Sequence, residues 1–114
     1  MYSFDYVRPA SVADAVKALV ANPEARALAG GQTLIPTLKQ RLAAPTALVD
    51  LSGIAELKAI RRDGNNLVIG ALVTHDTVAR SADVKSAIPA LARLADGIGD
   101  PQVRNAGTLG GSLA

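Results

Sequence analysis

Ala25-Arg26-Ala27-Leu28-Ala29-Gly30-Gly31-Gln32-Thr33-Leu34-Ile35-Pro36-Thr37-Leu38-Lys39-Gln40-Arg41-Leu42 passes from a short apolar run, through a glycine pair, into a helical pattern. Ala25 to Ala29 reads as a strand. Thr33 is placed to cap a helix whose buried side is Leu34, Ile35, Leu38 and Leu42. Pro36 falls in the first turn of that helix, where a missing N–H costs little.

The elements on either side continue the alternation. Tyr2 to Val7 alternates apolar and polar residues as a short strand does, and Arg8-Pro9-Ala10 ends it. Ser11 reads as an N-cap with Asp14 near the positive end of the helix dipole. Val12, Ala15, Val16, Leu19 and Val20 then form an inward stripe that stops at Asn22-Pro23. Ala47 to Leu51 is the next apolar strand. Residues 1 to 51 therefore predict a small parallel sheet with right-handed crossovers.

Past Ser52-Gly53 the pattern changes. Leu57 to Arg62 and Leu67 to Leu72, joined by the four residues Asp63-Gly64-Asn65-Asn66, predict an antiparallel hairpin. Thr74 caps a short helix through Val78-Ala79. Ile88, Leu91, Ala92, Leu94 and Ala95 mark another helix, with Pro89 in its first turn. Gly97 to Pro101 reads as loop. The change of pattern near residues 52 to 56 divides the chain into two subdomains, 1 to 52 and 53 to 114.

Composition narrows the chemistry. Of 114 residues, 49% are apolar, enough to fold, and no apolar run approaches the roughly 18 residues of a membrane span. The opening residues lack the basic start and hydrophobic stretch of a signal peptide. With no cysteine, the chain can hold neither a disulfide nor an iron-sulfur cluster, and a single histidine makes an imidazole metal site implausible. Redox chemistry here must use an organic cofactor. The net charge is only +2, with its excess in residues 58 to 114. Two tyrosines, one phenylalanine and no tryptophan give little support to a nucleic-acid surface.

No set of side chains compels nucleophilic or acid-base catalysis. His75 has no serine elbow near it and reads as a helix-entry histidine bonded to nearby backbone. Asp76, Asp83, Asp96 and Asp100 fall at turns and helix ends, where aspartate caps or solvates. The glycines are more informative. A chain leaving a strand through Gly30-Gly31 and entering a helix at Gln32-Thr33 exposes N–H groups to an anion, and no Cβ holds a phosphate away. Each charge there is worth about 0.3–1 kcal/mol when exposed and up to ~2 when partly buried, so a large ligand needs a second loop. Gly107-Thr108-Leu109-Gly110-Gly111-Ser112 repeats the recipe, and the two together suit a pyrophosphate clamped from both sides. Neither matches a dinucleotide fingerprint or a Walker loop, and each pair alone also reads as a tight turn. The residues by themselves reach a small α/β protein with loops able to bind a phosphorylated ligand.

Leu28-Ala29-Gly30-Gly31-Gln32-Thr33-Leu34-Ile35-Pro36, followed by Lys39 to Leu42, resembles the first flavin loop of the FAD-carrying medium subunit of molybdenum hydroxylases, the carbon monoxide and xanthine dehydrogenase family. Phe4 to Ser11 resembles the family's opening, Ile69 to His75 its middle strand and turn, and Gln102 to Ser112 its second flavin loop. The resemblance implies an α+β fold of the vanillyl-alcohol-oxidase and p-cresol-methylhydroxylase (PCMH) type: a small βαβ subdomain, then the start of a second α+β subdomain, with FAD extended between them. It implies that Ala29, Gly30, Gly31, Gln32, Thr33 and Leu34, with Thr108, Leu109, Gly110, Gly111 and Ser112, hold FAD through backbone N–H groups and hydroxyls. Leu28, Gly70, Ala71, Leu72 and Ile98 are looser candidates for flavin or adenosine contacts, beside a simple packing role.

The same resemblance implies a division of labour among subunits. A molybdenum cofactor on a large subunit oxidises substrate, [2Fe-2S] clusters on a small subunit relay electrons, and FAD hands them to an external acceptor in a cytoplasmic dimer of heterotrimers. No catalytic residue and no metal ligand is expected on this chain. Family members continue beyond the second glycine loop, so the 114 residues are expected to be the first two-fifths of a subunit, holding FAD poorly and inactive alone. Two alternatives stand beside this reading: a non-catalytic phosphate or nucleotide-binding module, and another flavin oxidoreductase of the same superfamily, such as the UDP-N-acetylmuramate-forming reductase.

Overall fold

Ser11 caps a helix as its position suggests: its hydroxyl accepts the Asp14 N–H at 3.1 Å. That helix, α1 (Val12–Ala21), follows β1 (Asp5–Val7) and leads to β2 (Arg26–Leu28), α2 (Leu34–Lys39) and β3 (Ala47–Asp50). The computed structural model describes residues 2–114, and the chain divides into two units, Met1–Ala55 and Glu56–Ala114.

In the first unit the three strands are parallel in the order β1-β3-β2, with Tyr6 opposite Leu48 and Leu28 opposite Asp50. β3 is central, so Leu48 and Val49 are each only 1% exposed, as expected of a strand covered on both faces. The expected parallel sheet is present, with a shorter first strand than Tyr2 to Val7.

The apolar stripe of α1 is less buried than its spacing predicts. Ala15 is buried, whereas Val12, Val16 and Val20 are exposed. A three-residue strand spans ~10 Å and a ten-residue helix ~15 Å, so the sheet is too short to cover the whole helix. Leu42 also departs from expectation, being 74% exposed. After Lys39 the chain stops α2 with the Arg41 N–H on the Leu38 carbonyl (3.0 Å) and the Leu42 N–H on the Thr37 carbonyl (3.1 Å). Arg41 sits at φ 58°, the left-handed residue that such a stop requires. Leu42 therefore lies past the helix and off its buried face.

A 3-10 turn over Ala55–Lys58 starts at the last residue of the first unit, and the second unit continues with β4 (Ile60–Asp63) and β5 (Asn66–Ile69), paired antiparallel. Asp63 pairs with Asn66, so the connection is the two residues Gly64-Asn65 rather than four. Leu57 and Lys58 belong to the turn and not to the strand.

Five short helices follow: α3 (His75–Arg80), α4 (Ala82–Ala87), α5 (Pro89–Asp96), α6 (Pro101–Ala106) and α7 (Leu109–Leu113). α3 and α5 match expectation, with Thr74 capping the first and Pro89 opening the second. α4 and α6 were not anticipated. In α5 the buried residues are Ala92 and Ala95, while Ile88 and Leu94 are exposed. Val73, Val78, Ala79, Val84, Ala92 and Ala95 form the core, with Ile60, Leu67, Ile69 and Leu91 packed against it.

Candidate cofactor-binding site

β2 ends at Leu28, and the chain passes through Ala29 and Gly30 into Gly31 at φ +76° before α2 begins. Glycine is required at this φ, and an added Cβ would also meet Ile35 Cγ1 at 3.0 Å. Among the described residues, no protein group accepts from the amides of Gly30, Gly31, Gln32, Thr33 or Leu34. Thr33 precedes the helix without a side-chain hydrogen bond to it. Consecutive open amides around a left-handed residue form the kind of concavity that takes an anion.

The second glycine segment is organised differently. Thr108 caps α7 by accepting the Gly111 N–H at 3.1 Å, so Gly110 and Gly111 lie inside a helix and not in a loop. The Leu109 N–H donates to the Val73 carbonyl and the Gly110 N–H to the Ala71 carbonyl, both at 2.9 Å. The Ser112 N–H donates to the Thr108 carbonyl at 3.1 Å. These four amides all have hydrogen-bond partners within the unit. What the segment has besides them is the hydroxyls of Thr108 and Ser112 and a glycine surface free of side chains. Gly110 is dictated by packing: a Cβ there would lie 2.7 Å from both Cβ and O of Ala71.

His75 is buried, and its Nε2 lies 2.9 Å from Ser112 Oγ. The ring thus binds a side chain of the second glycine segment, where a backbone partner was expected. Of the looser candidates, Leu72 is buried, its N–H on the Leu57 carbonyl at 2.9 Å, and Gly70 donates to the Ala59 carbonyl at 2.8 Å. The Ala71 carbonyl is occupied by Gly110. Ile98 lies between α5 and α6, its carbonyl accepting from Arg104 at 3.4 Å. Leu28 and Leu34 flank the open amides and are half-buried.

One polar cluster had no counterpart in the sequence reading. Asp50, at the carboxyl end of β3, accepts from the Tyr6 hydroxyl and from the Ser52 N–H at 2.9 Å. Arg8 Nε donates to Ser52 Oγ at 3.1 Å. Burial by itself pushes the Asp50 carboxyl up, but the bonds from Tyr6 and Ser52 and the nearby Arg8 charge outweigh it and hold the carboxyl below its ordinary value. The bond to Asp50 raises the Tyr6 phenol correspondingly. An aspartate inside an otherwise apolar strand was the available signal. Asp76, Asp83 and Asp100 do what scattered aspartates do: Asp76 pairs with Arg80, Asp83 with Arg62, and Asp100 caps α6.

The family model for the FAD binding domain in molybdopterin dehydrogenase matches residues 2–114, and the chain belongs to that family. The carbon monoxide dehydrogenase medium chain of Afipia carboxidovorans is 46% identical over 113 residues, covering 98% of this chain and 39% of its own. Among solved structures, a carbon monoxide dehydrogenase from Hydrogenophaga pseudoflava is 42% identical with a TM-score of 0.96 over 98% of this chain and 39% of that one. Quinoline 2-oxidoreductase from Pseudomonas putida 86 is 41% identical, also at 0.96, over 99% of this chain and 40% of that one. The chain thus spans about two-fifths of the length of the relatives it matches. The Afipia relative is by its name one chain of a multi-chain enzyme. The α+β fold expected from the resemblance is the fold observed. Among the described residues, no helix is long and apolar enough to cross a membrane, and no group of histidine and carboxylate side chains is arranged to hold a metal.

Proposed function

We propose that this chain is the FAD-binding part of an oxidoreductase of the molybdenum hydroxylase type, with Ala29 to Leu34 and Thr108 to Ser112 as its cofactor contacts. The observation that carries the reading is the run of unpartnered amides at Gly30 to Leu34 around left-handed Gly31, in a chain of the FAD-binding family. A diphosphate matches that run in charge and in its need for several donors at once. When bound, FAD supplies the electron chemistry, relaying electrons from iron-sulfur clusters of a small subunit, reduced by the molybdenum centre of a large subunit, to an external acceptor.

The residues of this chain then have binding work alone. Gly30 to Leu34 donate amides, Gly31 keeps the turn free of a side chain, and Thr108 and Ser112 bring hydroxyls. We place the assembly in the cytoplasm as a dimer of heterotrimers.

Purifying the native assembly and recording its visible spectrum tests the reading. A flavin band released as FAD on denaturation is expected; an assembly with no flavin contradicts it. Competition with ADP and with inorganic phosphate separates this function from that of a general phosphate module. FAD is expected to bind more tightly than either, whereas equal binding of FAD and ADP would remove the flavin from the assignment.

A further inference from the structure

The amides of α7 are committed, so an anion on this segment must be met by side chains, and the structure shows how one of them is aimed. His75 is 3% exposed and tied to the segment at two points. Its backbone N–H donates to the Gly107 carbonyl at 3.0 Å, and its ring Nε2 lies 2.9 Å from Ser112 Oγ. Gly107 lies against the ring edge, where a Cβ would come within 3.2 Å of Cδ2. The other ring nitrogen, Nδ1, is buried and has no hydrogen-bond partner among the described residues.

That orphaned nitrogen selects the tautomer. A neutral imidazole carries one N–H. A proton on Nδ1 would leave a buried donor unpaired, which costs the desolvation of that N–H. It would also make Nε2 an acceptor, drawing the Ser112 hydroxyl proton inward. A proton on Nε2 leaves only a bare lone pair at Nδ1, and unpaired buried acceptors are tolerated more often than unpaired N–H groups. Nε2–H then donates to Ser112 Oγ, and the serine's own proton is released toward the exposed side of α7, where Ser112 lies.

We infer that His75 is a positioning residue: held as the Nε2–H tautomer, it turns the Ser112 hydroxyl into an outward donor for an anionic oxygen. On the FAD reading, on which this inference rests, that oxygen belongs to a phosphate of the cofactor. The chain of donation runs His75 Nε2–H to Ser112 Oγ, then Ser112 O–H to phosphate. A phosphate oxygen is the favoured acceptor for that proton, because hydrogen bonds to a charged acceptor are roughly twice as strong as neutral ones.

The test uses the native assembly carrying Ser112→Ala, His75→Leu, the two combined, and His75→Gln, whose amide restores a donor near the Nε2 position. FAD retention is titrated for each, alongside its melting temperature. Ser112→Ala and His75→Leu are each expected to weaken FAD retention roughly tenfold, as loss of one charge-assisted hydrogen bond would. The double variant is expected to lose no more than either single one, because both act through one hydroxyl. His75→Gln is expected to stay within about threefold of the unaltered protein whatever its melting temperature. Additive losses in the double variant, or a His75→Gln variant as weak as His75→Leu, would overturn the positioning role while leaving the flavin reading intact. An unaltered assembly without FAD would remove both.

Discussion

Gly30-Gly31 ends a strand and leaves its neighbours' amides open, whereas Gly110-Gly111 lies inside a helix with its amides already used by Ala71 and Thr108. In sequence both are a glycine pair separated from a threonine by one residue. Gly31 is glycine because of its left-handed φ, and Gly110 because the Ala71 backbone leaves no room for a Cβ. A glycine pair therefore marks a place where backbone must come close or turn unusually. Whether the amides there are available to a ligand depends on what lies across from them.

The contrast is sharpest under substitution. Gly110→Ala is expected to have the largest effect on stability: overpacking against Ala71 costs about 1–3 kcal/mol, offset by no more than about 1 kcal/mol of helix propensity. A melting temperature unchanged or raised would mean that α7 can move away from Ala71. Gly31→Ala should cost about 1–2 kcal/mol through its left-handed backbone. Its signature is different: FAD retention should fall by roughly tenfold for each ~1.4 kcal/mol of strain the loop relieves by moving. If FAD retention is unchanged while stability drops, the open amides are not the grip.

Thr108→Ala comes next. Losing the cap should cost about 1 kcal/mol, and the freed Gly111 amide should exchange with solvent faster. Equal exchange in both proteins would show that the cap is not what holds that amide. The smallest effect is expected from acid, and it separates the units. Asp50 in the first unit has a lowered pKa, so its bonds stabilise the fold above the ordinary carboxylate value and are lost as pH falls through the folded value. The stability gap between the unaltered protein and Asp50→Asn should be widest near neutral pH and close on acidification. A gap independent of pH would contradict this. In the second unit the ion pair of Arg62 with Asp83 is half-exposed on both sides, where such pairs contribute little.

The parts of the fold legible in the sequence were those set by neighbouring residues. Ser11 with Asp14, Thr74 with its helix, and Pro89 at a first turn are local devices, and each appeared where the sequence put it. α6 was hidden because Asp100-Pro101 reads as loop, although an aspartate followed by proline is also an N-cap followed by the first helical residue. The capping role of Thr108 was missed, although it needs only the Gly111 amide three residues on. The remaining gaps are long-range. Tyr6 meets Asp50 across 44 residues and His75 meets Ser112 across 37, distances over which no periodicity carries information. The first glycine segment was legible as strand, glycine pair and helix; the commitment of the second segment's amides required its partners in space.

Amide hydrogen exchange of the native assembly, with FAD bound and after its removal, measures this difference most directly. FAD should protect the amides of Gly30 to Leu34, which have no protein partner, and add little at Leu109 to Ser112, which are bonded without it. Equal gains in protection at both segments, or gains confined to the second, would contradict the division of roles between them.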